Sequence, residues 1–101
     1  MKFALCQMNV VDDFNKNMET CTSMILKSSK NADFIVLPEM FNCPYENNKF
    51  IEYAEYKTTT LNTISKLANE NNVYILAGSI PEKDSDNKIY NTSYYLTEKV
   101  K

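Results

Sequence analysis

The 101-residue sequence contains no histidine, arginine or tryptophan and has a single glycine, Gly78. Because histidine is absent and no two cysteines are spaced as C-x-x-C, the usual zinc sites and histidine-based catalytic triads are excluded within these residues. One glycine cannot form the glycine-rich loops that bind phosphates and dinucleotides. Arginine is the usual residue for bidentate contacts to phosphate and guanine, so its absence argues against a nucleic-acid-binding chain.

Charge and hydrophobicity exclude further classes of protein. All 11 basic residues are lysines, and with 13 acidic residues they give a formal net charge of −2, which provides no electrostatic attraction for nucleic acid or acidic membranes. No apolar run is long enough to cross a bilayer, and Asp12 and Asp13 interrupt the first apolar segment too soon for a signal peptide. We therefore expect a cytoplasmic protein that needs no metal ion or cofactor and binds neither nucleic acid nor membranes.

The pattern of apolar residues predicts an α/β chain with the element order β-α-β-α-β-β. The predicted strands cover residues 2–10, 34–37, 73–80 and 89–96, and the predicted helices cover residues 14–30 and 60–71. The state of the aromatic stretch 50–53 stays open, and a polar connection, 81–88, leads into a fourth strand that returns antiparallel to the third. This order indicates a mixed, mainly parallel sheet with helices on one face.

Each predicted helix has one apolar face and a candidate N-cap. The first helix presents Phe14, Met18, Cys21 and Ile25 to the core, with Asp12 or Asp13 as its cap. The second helix presents Leu61, Ile64, Leu67 and Ala68, and one of the threonines at 58–60 is expected to cap it.

Glu39 is the strongest candidate for a functional residue. It follows a short apolar run, residues 34–37, that is typical of a strand covered on both faces. Pro38 ends this strand because proline cannot donate to the sheet ladder, and so Glu39 should lie at the strand's C-terminal edge, where open α/β sheets bind their ligands. Apolar neighbours flank the carboxylate and should partly desolvate it, which suits general-base work. The simpler alternative is a solvated loop residue or a helix cap.

Four segments resemble, in order, the motifs of the nitrilase superfamily of carbon–nitrogen hydrolases. The segment DFIVLPEMFNCPY, from Asp33 to Tyr45, is similar to that family's glutamate motif, and its second half is closest to the ω-amidase-like branch. The opening KFALCQMN, residues 2–9, is similar to the family's first strand. AGSIPE, residues 77–82, and IYNTS, residues 89–93, are similar to its third and fourth strands. The four segments occur in the family's order and are distributed across nearly the whole chain, from residue 2 to residue 93.

The resemblance implies that residues 1–101 form the N-terminal segment of a carbon–nitrogen hydrolase domain, about the first third of a family member and part of an αββα sandwich. Members of this family use a Glu-Lys-Cys triad. Glu39 would be its base, while the lysine and the nucleophilic cysteine belong to later motifs that these residues do not contain. The implied substrate is a small-molecule amide, a short dicarboxylate monoamide in the ω-amidase-like branch, and the implied assembly is a homo-oligomer. From their proximity to Glu39 alone, Phe41 and Tyr45 are predicted to line the acyl pocket.

The three cysteines have neither metal-ligand nor redox spacing. Cys6 lies in a predicted strand and Cys21 in a predicted helix, so both are expected to be core residues in a reducing compartment. Cys43 lies close to Glu39 in the sequence, but the family's nucleophile comes from a distant segment. We therefore interpret Cys43 as a loop or pocket-wall residue.

Two functional hypotheses follow. The first is a segment of an amidase that carries only the glutamate of the triad and is therefore inactive alone. The second is a non-catalytic module that associates with itself or docks on a full-length relative. The two predicted helices can cover only one face of the sheet, so the other face would keep exposed apolar residues, which are uncommon on soluble monomers.

Overall fold

The chain folds as a four-stranded mixed sheet with its helices packed on one face. The computed structural model describes residues 1–97. Its elements are β1 (Phe3–Leu5), α1 (Phe14–Ser28), β2 (Phe34–Val36), α2 (Asn47–Tyr53), a short 3-10 helix (Ala54–Tyr56), α3 (Lys57–Asn71), β3 (Tyr74–Lys83) and β4 (Ile89–Leu96). The strands lie in the order β1-β2-β3-β4, with the first two pairings parallel and the last antiparallel. This confirms the predicted fold class and the antiparallel return of the fourth strand.

The first strand is shorter than the predicted range 2–10. The ladder between β1 and β2 pairs Phe3 with Phe34 and ends at the pair of Leu5 and Val36, after which the N–H of Cys6 donates to the Val36 carbonyl at 2.9 Å. Because β2 has only three residues and Pro38 cannot donate, β1 has no partner beyond this point.

The third strand is longer than predicted. It runs through Pro81 to Lys83, so the connection to β4 is a tight turn and not the whole of 81–88. In this turn the Asp84 carboxylate accepts hydrogen bonds from the backbone N–H groups of Asp86 and Lys88, each at 2.9 Å. Pro81 is tolerated because β2 pairs with β3 only as far as Leu76, which leaves β4 as the single neighbour at that position.

Helix α1 matches its predicted face and ends two residues earlier than predicted. Its cap is Asp13, the second of the two alternatives, whose Oδ1 accepts a hydrogen bond from the Lys16 N–H at 3.1 Å. Met18, Cys21 and Ile25 are buried, as the spacing predicted.

The predicted start of the second long helix is wrong. Helix α3 begins at Lys57 because α2 and the 3-10 helix lead directly into it, and α2 contains the stretch 50–53. Its N-cap is therefore Tyr56, and none of the threonines caps it. Thr60 is buried inside the first turns of the helix. The helix ends at Asn71, and the left-handed φ of 53° at the following residue, Asn72, stops it.

The hydrophobic core lies between the helices and one face of the sheet. Ile35, Ile75 and Ala77 project from the sheet, and Ile25 of α1 and Ile64 of α3 pack against them. The other face has no covering layer among residues 1–97, which corrects the expectation that β2 is covered on both faces. Only the central residue of β2 is buried.

Aromatic side chains occupy the uncovered side of the sheet. Phe34 lies 5.2 Å from Phe3 and 5.5 Å from Tyr95 between ring centroids, and Tyr74 stacks on Tyr95 at 5.9 Å. Leu5 beside them is 80% exposed. We refer to these five residues as the open sheet face. The described part of the chain thus buries one side of its sheet and leaves the other side apolar and accessible.

Candidate active site

Glu39 lies where β2 ends, in a loop that hydrogen bonds hold against β3. The Leu37 N–H donates to the Leu76 carbonyl at 3.0 Å, which is the last contact of β2 with β3. Beyond Glu39, the N–H of Met40 donates to Ser79 Oγ at 3.3 Å and the N–H of Phe41 to the Ser79 carbonyl at 3.2 Å. The C-terminal edge predicted from Pro38 is therefore where the carboxylate is found.

Met40 turns the chain immediately after the glutamate. Its φ of 51° lies in the left-handed region, which residues other than glycine rarely adopt. Such conformations persist where the surroundings enforce them, and they occur frequently at functional sites. Here the two hydrogen bonds to Ser79 and the burial of the Met40 side chain enforce it.

The expectation that Glu39 is partly desolvated by its neighbours is wrong for this structure. Leu37, Met40 and Phe41 are all buried, but their side chains point into the core, and Glu39 itself is exposed. A strand end followed by a turn sends consecutive side chains in different directions, so apolar neighbours in the sequence do not surround the carboxylate.

Asn91 is a partner of Glu39 that the sequence analysis did not identify. Its side-chain Nδ2 donates to Glu39 Oε2 at 2.7 Å, although the two residues are 52 positions apart. Asn91 lies on β4 opposite Pro81, and by the alternation of side chains along a strand it shares the face of Tyr95. Asn91 belongs to the segment IYNTS, residues 89–93, and the resemblance of this segment to a family motif is the sequence signal that points to it.

Phe41 and Tyr45 lie in different environments. Phe41 is fully buried within the hydrophobic core. Tyr45 is 67% exposed and meets Phe50 edge to face, with ring centroids 5.3 Å apart. The part of the chain that the structure describes does not bring them into one shared wall, and their contact with an acyl group stays a prediction.

Cys43 is buried in the loop after Glu39 and is poorly suited to nucleophilic attack. Burial, followed by the nearby carboxylates of Glu52 and Asp12, raises the pKa of its thiol to about 12. Its Sγ donates to the Pro44 carbonyl at 3.2 Å. Because the thiolate is the reactive form, these observations favour the interpretation of Cys43 as a loop residue.

Buried asparagines anchor the same loop. Asn17 of α1 donates from Nδ2 to the backbone carbonyl of Asn42 at 3.2 Å and to that of Val11 at 2.7 Å. Asn42 in turn donates from Nδ2 to Thr60 Oγ1 at 3.0 Å. These hydrogen bonds tie the loop to α1 and α3, although the buried Oδ1 of Asn42 has no hydrogen-bond partner within residues 1–97.

A second carboxylate, Glu82, lies on the opposite side of the sheet. Its Oε2 accepts hydrogen bonds from Lys57 Nζ at 2.7 Å and from the Tyr94 hydroxyl at 2.8 Å. The Lys57 ammonium, then the hydroxyls of Tyr94 and Thr92, lower the pKa of Glu82 to about 2. These contacts join α3 to the β3–β4 hairpin through Glu82, and the lowered pKa makes this carboxylate a weak proton acceptor.

Within residues 1–97, no three or more acidic or cysteine side chains come together as a group that could hold a metal ion. The helices of the same region are all too short or too polar to cross a membrane.

Comparison with known proteins places this geometry in a family. Residues 2–101 match the family of carbon-nitrogen hydrolases. Nitrilase homolog 2 of Dictyostelium discoideum is 37% identical over 101 residues, which cover 97% of this chain and 31% of that protein. Omega-amidase NIT2 of Bos taurus is 38% identical over 93 residues, which cover 90% of this chain and 33% of that protein. The chain thus spans about a third of the length of these curated relatives.

Comparison with solved structures leads to the same family. The crystal structure of Saccharomyces cerevisiae Nit3, described as a member of branch 10 of the nitrilase superfamily, matches with a TM-score of 0.89 and 34% identity. The match covers 97% of this chain and 40% of the Nit3 chain. The sheet and helices described above therefore correspond to the N-terminal part of the nitrilase fold, as the sequence motifs predicted.

Proposed function

The chain belongs to the carbon–nitrogen hydrolase family, and from that premise we propose that it is the base-bearing N-terminal segment of an amidase. We assign it to the ω-amidase-like branch, whose named members are among its relatives. The proposed substrate is a small, linear, non-peptide amide. Glu39 is the proposed general base, and the lysine and cysteine of the triad have no counterpart in these residues.

In the proposed reaction, Glu39 takes the proton from a cysteine thiol, and the resulting thiolate attacks the amide carbon. The tetrahedral intermediate collapses as Glu39 returns the proton to the leaving nitrogen, so that the C–N bond breaks and an acyl-enzyme remains. Glu39 then takes a proton from water as the hydroxide attacks the thioester. The acid product leaves and the thiol is restored, with Glu39 again ionised.

The position of the Glu39 carboxylate is the observation that carries the proposal. It lies at the carboxyl end of a parallel strand, which is where open α/β sheets bind ligands. The backbone on its C-terminal side is clamped to β3 through Ser79, while the carboxylate itself is exposed to an incoming substrate. A general base needs this combination of a fixed backbone and an accessible oxygen.

A chimera tests the proposal. Residues 1–101 replace the matching segment of the yeast Nit3 protein, to which the chain is 34% identical, and turnover of short dicarboxylate monoamides is measured. Glu39→Gln should lower kcat by about 100-fold or more, the range of general-base contributions, with an unchanged circular dichroism spectrum. Glu70→Gln, an exposed position on α3, is the matched control and should keep full activity. A folded Glu39→Gln chimera with parental turnover would refute the assignment, as would a folded parental chimera without turnover.

The open sheet face favours a second candidate, a non-catalytic module that associates with itself or docks on a full-length relative. Phe34, Tyr74 and Tyr95 form a continuous aromatic cluster on this face. If the chain docks on a relative, it should co-elute with the full-length yeast protein in size-exclusion chromatography and change its turnover. Separate elution and unchanged turnover would count against this candidate.

The other properties predicted from the sequence accompany the first proposal. They are a homo-oligomeric assembly, a cytoplasmic location and no binding to nucleic acid or membranes. The incomplete domain over residues 1–101 and the inactivity of the chain alone are proposals of the same kind.

A further inference from the structure

We propose that Asn91 is a positioning residue that holds the Glu39 carboxylate in its reactive orientation, an inference that rests on the proposed function. The Asn91 Nδ2 to Glu39 Oε2 distance of 2.7 Å lies at the short end of the range for hydrogen bonds from nitrogen to oxygen. This hydrogen bond joins β4 to the loop that follows β2. The strands β2 and β4 are not neighbours in the sheet, because β3 lies between them.

Both partners of this hydrogen bond are fixed by the same strand. The loop of Glu39 is attached to β3 through Ser79, while Asn91 pairs across the antiparallel ladder with Pro81, two residues farther along β3. The hairpin behind Asn91 is secured by the contact of Tyr94 with Glu82. The backbones on both sides of this hydrogen bond are therefore positioned by β3, while the two side chains that form it are exposed.

The contact gives the two carboxylate oxygens of Glu39 different roles. Asn91 engages Oε2, which leaves Oε1 of Glu39 for the proton of the thiol or water. When Oε1 carries that proton, Oε2 is the carbonyl oxygen of the neutral acid and still accepts from the amide. The same hydrogen bond therefore persists through every protonation step.

The first test is kinetic and uses the Nit3 chimera. Asn91→Asp keeps the size of the side chain but replaces the donor by an acceptor. We expect kcat to fall about 10-fold to 100-fold, the range for a lost hydrogen bond to a charged group, while KM stays within about twofold. Asn62→Asp, which adds the same charge at an exposed position on α3, should leave both constants unchanged. Partial unfolding of a variant would also lower its apparent kcat, in proportion to the unfolded fraction. Circular dichroism measures that fraction, so the kcat of each variant can be corrected for it.

The second test needs no turnover and uses the 101-residue chain itself. In a proton–nitrogen NMR correlation spectrum, the side-chain amide of Asn91 should have one proton shifted downfield, and Glu39→Ala should abolish that shift. The side-chain amide of Asn62 serves as the internal control and should not respond. Identical Asn91 signals in the parent and in Glu39→Ala would overturn the proposal, because the hydrogen bond would then be absent in solution.

The outcomes separate this proposal from the one on which it rests. Full kcat in Asn91→Asp, together with an inactive Glu39→Gln chimera, removes the role of Asn91 and leaves Glu39 as the base. Parental turnover in Glu39→Gln removes the general-base assignment and with it any catalytic role for Asn91, whatever the NMR spectrum shows. A loss of kcat in both variants with a downfield Asn91 proton supports the two proposals together.

Discussion

The contact of Glu82 with Lys57 predicts a specific dependence of stability on pH. The pKa of Glu82 is lowered from its ordinary 4.5 to about 2. A carboxyl whose pKa is lower in the folded than in the unfolded chain stabilises the fold above the unfolded value, and the stabilisation disappears as pH falls through the folded value. We therefore expect this contribution to be complete above about pH 5 and to be lost between about pH 4.5 and pH 2.

The magnitude follows from the same shift. The lowering of the pKa from 4.5 to about 2, which is about 2.5, corresponds to roughly 3 kcal/mol. The Glu82 side chain is 25% exposed and solvent screens its pair with Lys57, so we reduce the expected contribution to about 1–2 kcal/mol. Glu82→Gln, measured by urea unfolding and circular dichroism, should lower the free energy of unfolding by this amount at pH 7. The difference from the parent should shrink below pH 4.5 and vanish near pH 2.

Glu55 provides the matched control. Its pair with Lys83 has a longer distance, 3.3 Å, and the Glu55 side chain is 70% exposed. Glu55→Gln should therefore change the free energy of unfolding by less than about 0.5 kcal/mol at any pH. Equal stability of Glu82→Gln and the parent at pH 7, or a gap at pH 2 as large as at pH 7, would refute the reasoning, since the stabilisation would not come from the ionised pair.

Three further predictions test the site, the sheet and its open face. The 101-residue chain alone should not hydrolyse short-chain amides, and Cys43→Ser should leave that background unchanged; turnover that disappears in this variant would show Cys43 to be a nucleophile. Gly78→Ala should lower the free energy of unfolding by about 1–2 kcal/mol, because the added Cβ would lie 2.8 Å from Ser93 Oγ. In urea unfolding, adding Ser93→Ala to this variant should recover part of the loss. Strictly additive effects of the two substitutions would contradict a clash between them. Purified alone, the chain should associate in light scattering and bind a hydrophobic dye, with Leu5→Lys and Tyr95→Ser weakening both; a dye-silent monomer would contradict this.

Local patterns were sufficient to predict the sheet and the position of Glu39. The apolar runs around Ile35 and Ile75 predicted two central strands, and both of these residues are buried. The spacing of Met18, Cys21 and Ile25 predicted the buried side of α1. These elements follow from a period of two or of about four residues, which a sequence displays directly.

Contacts that depend on tertiary register could not be predicted in the same way. Asn91 reaches Glu39 only because β4 pairs with β3 past an irregularity between Gly78 and Ile80, and the sequence does not show where such a shift occurs. Asn17 and Asn42 are polar, so they do not contribute to the apolar pattern from which burial is predicted. Their burial becomes understandable only when their hydrogen-bond partners are known. The early start of α3 has a similar cause, because the 3-10 helix before it has no periodic signal of its own.

The position of Asn91 links the chemistry of the site to the open sheet face. Side chains alternate along β4, so Asn91 and Tyr95 project from the same side of the sheet, and the Glu39 carboxylate that Asn91 binds lies on that side too. A layer that covers the aromatic cluster and continues along β4 as far as Asn91 would therefore also cover the carboxylate. The apolar neighbours in the sequence do not desolvate Glu39, because they turn into the core. Association that extends along β4 to Asn91 would thus partly desolvate the proposed base, and in that case the two functional candidates would share one surface.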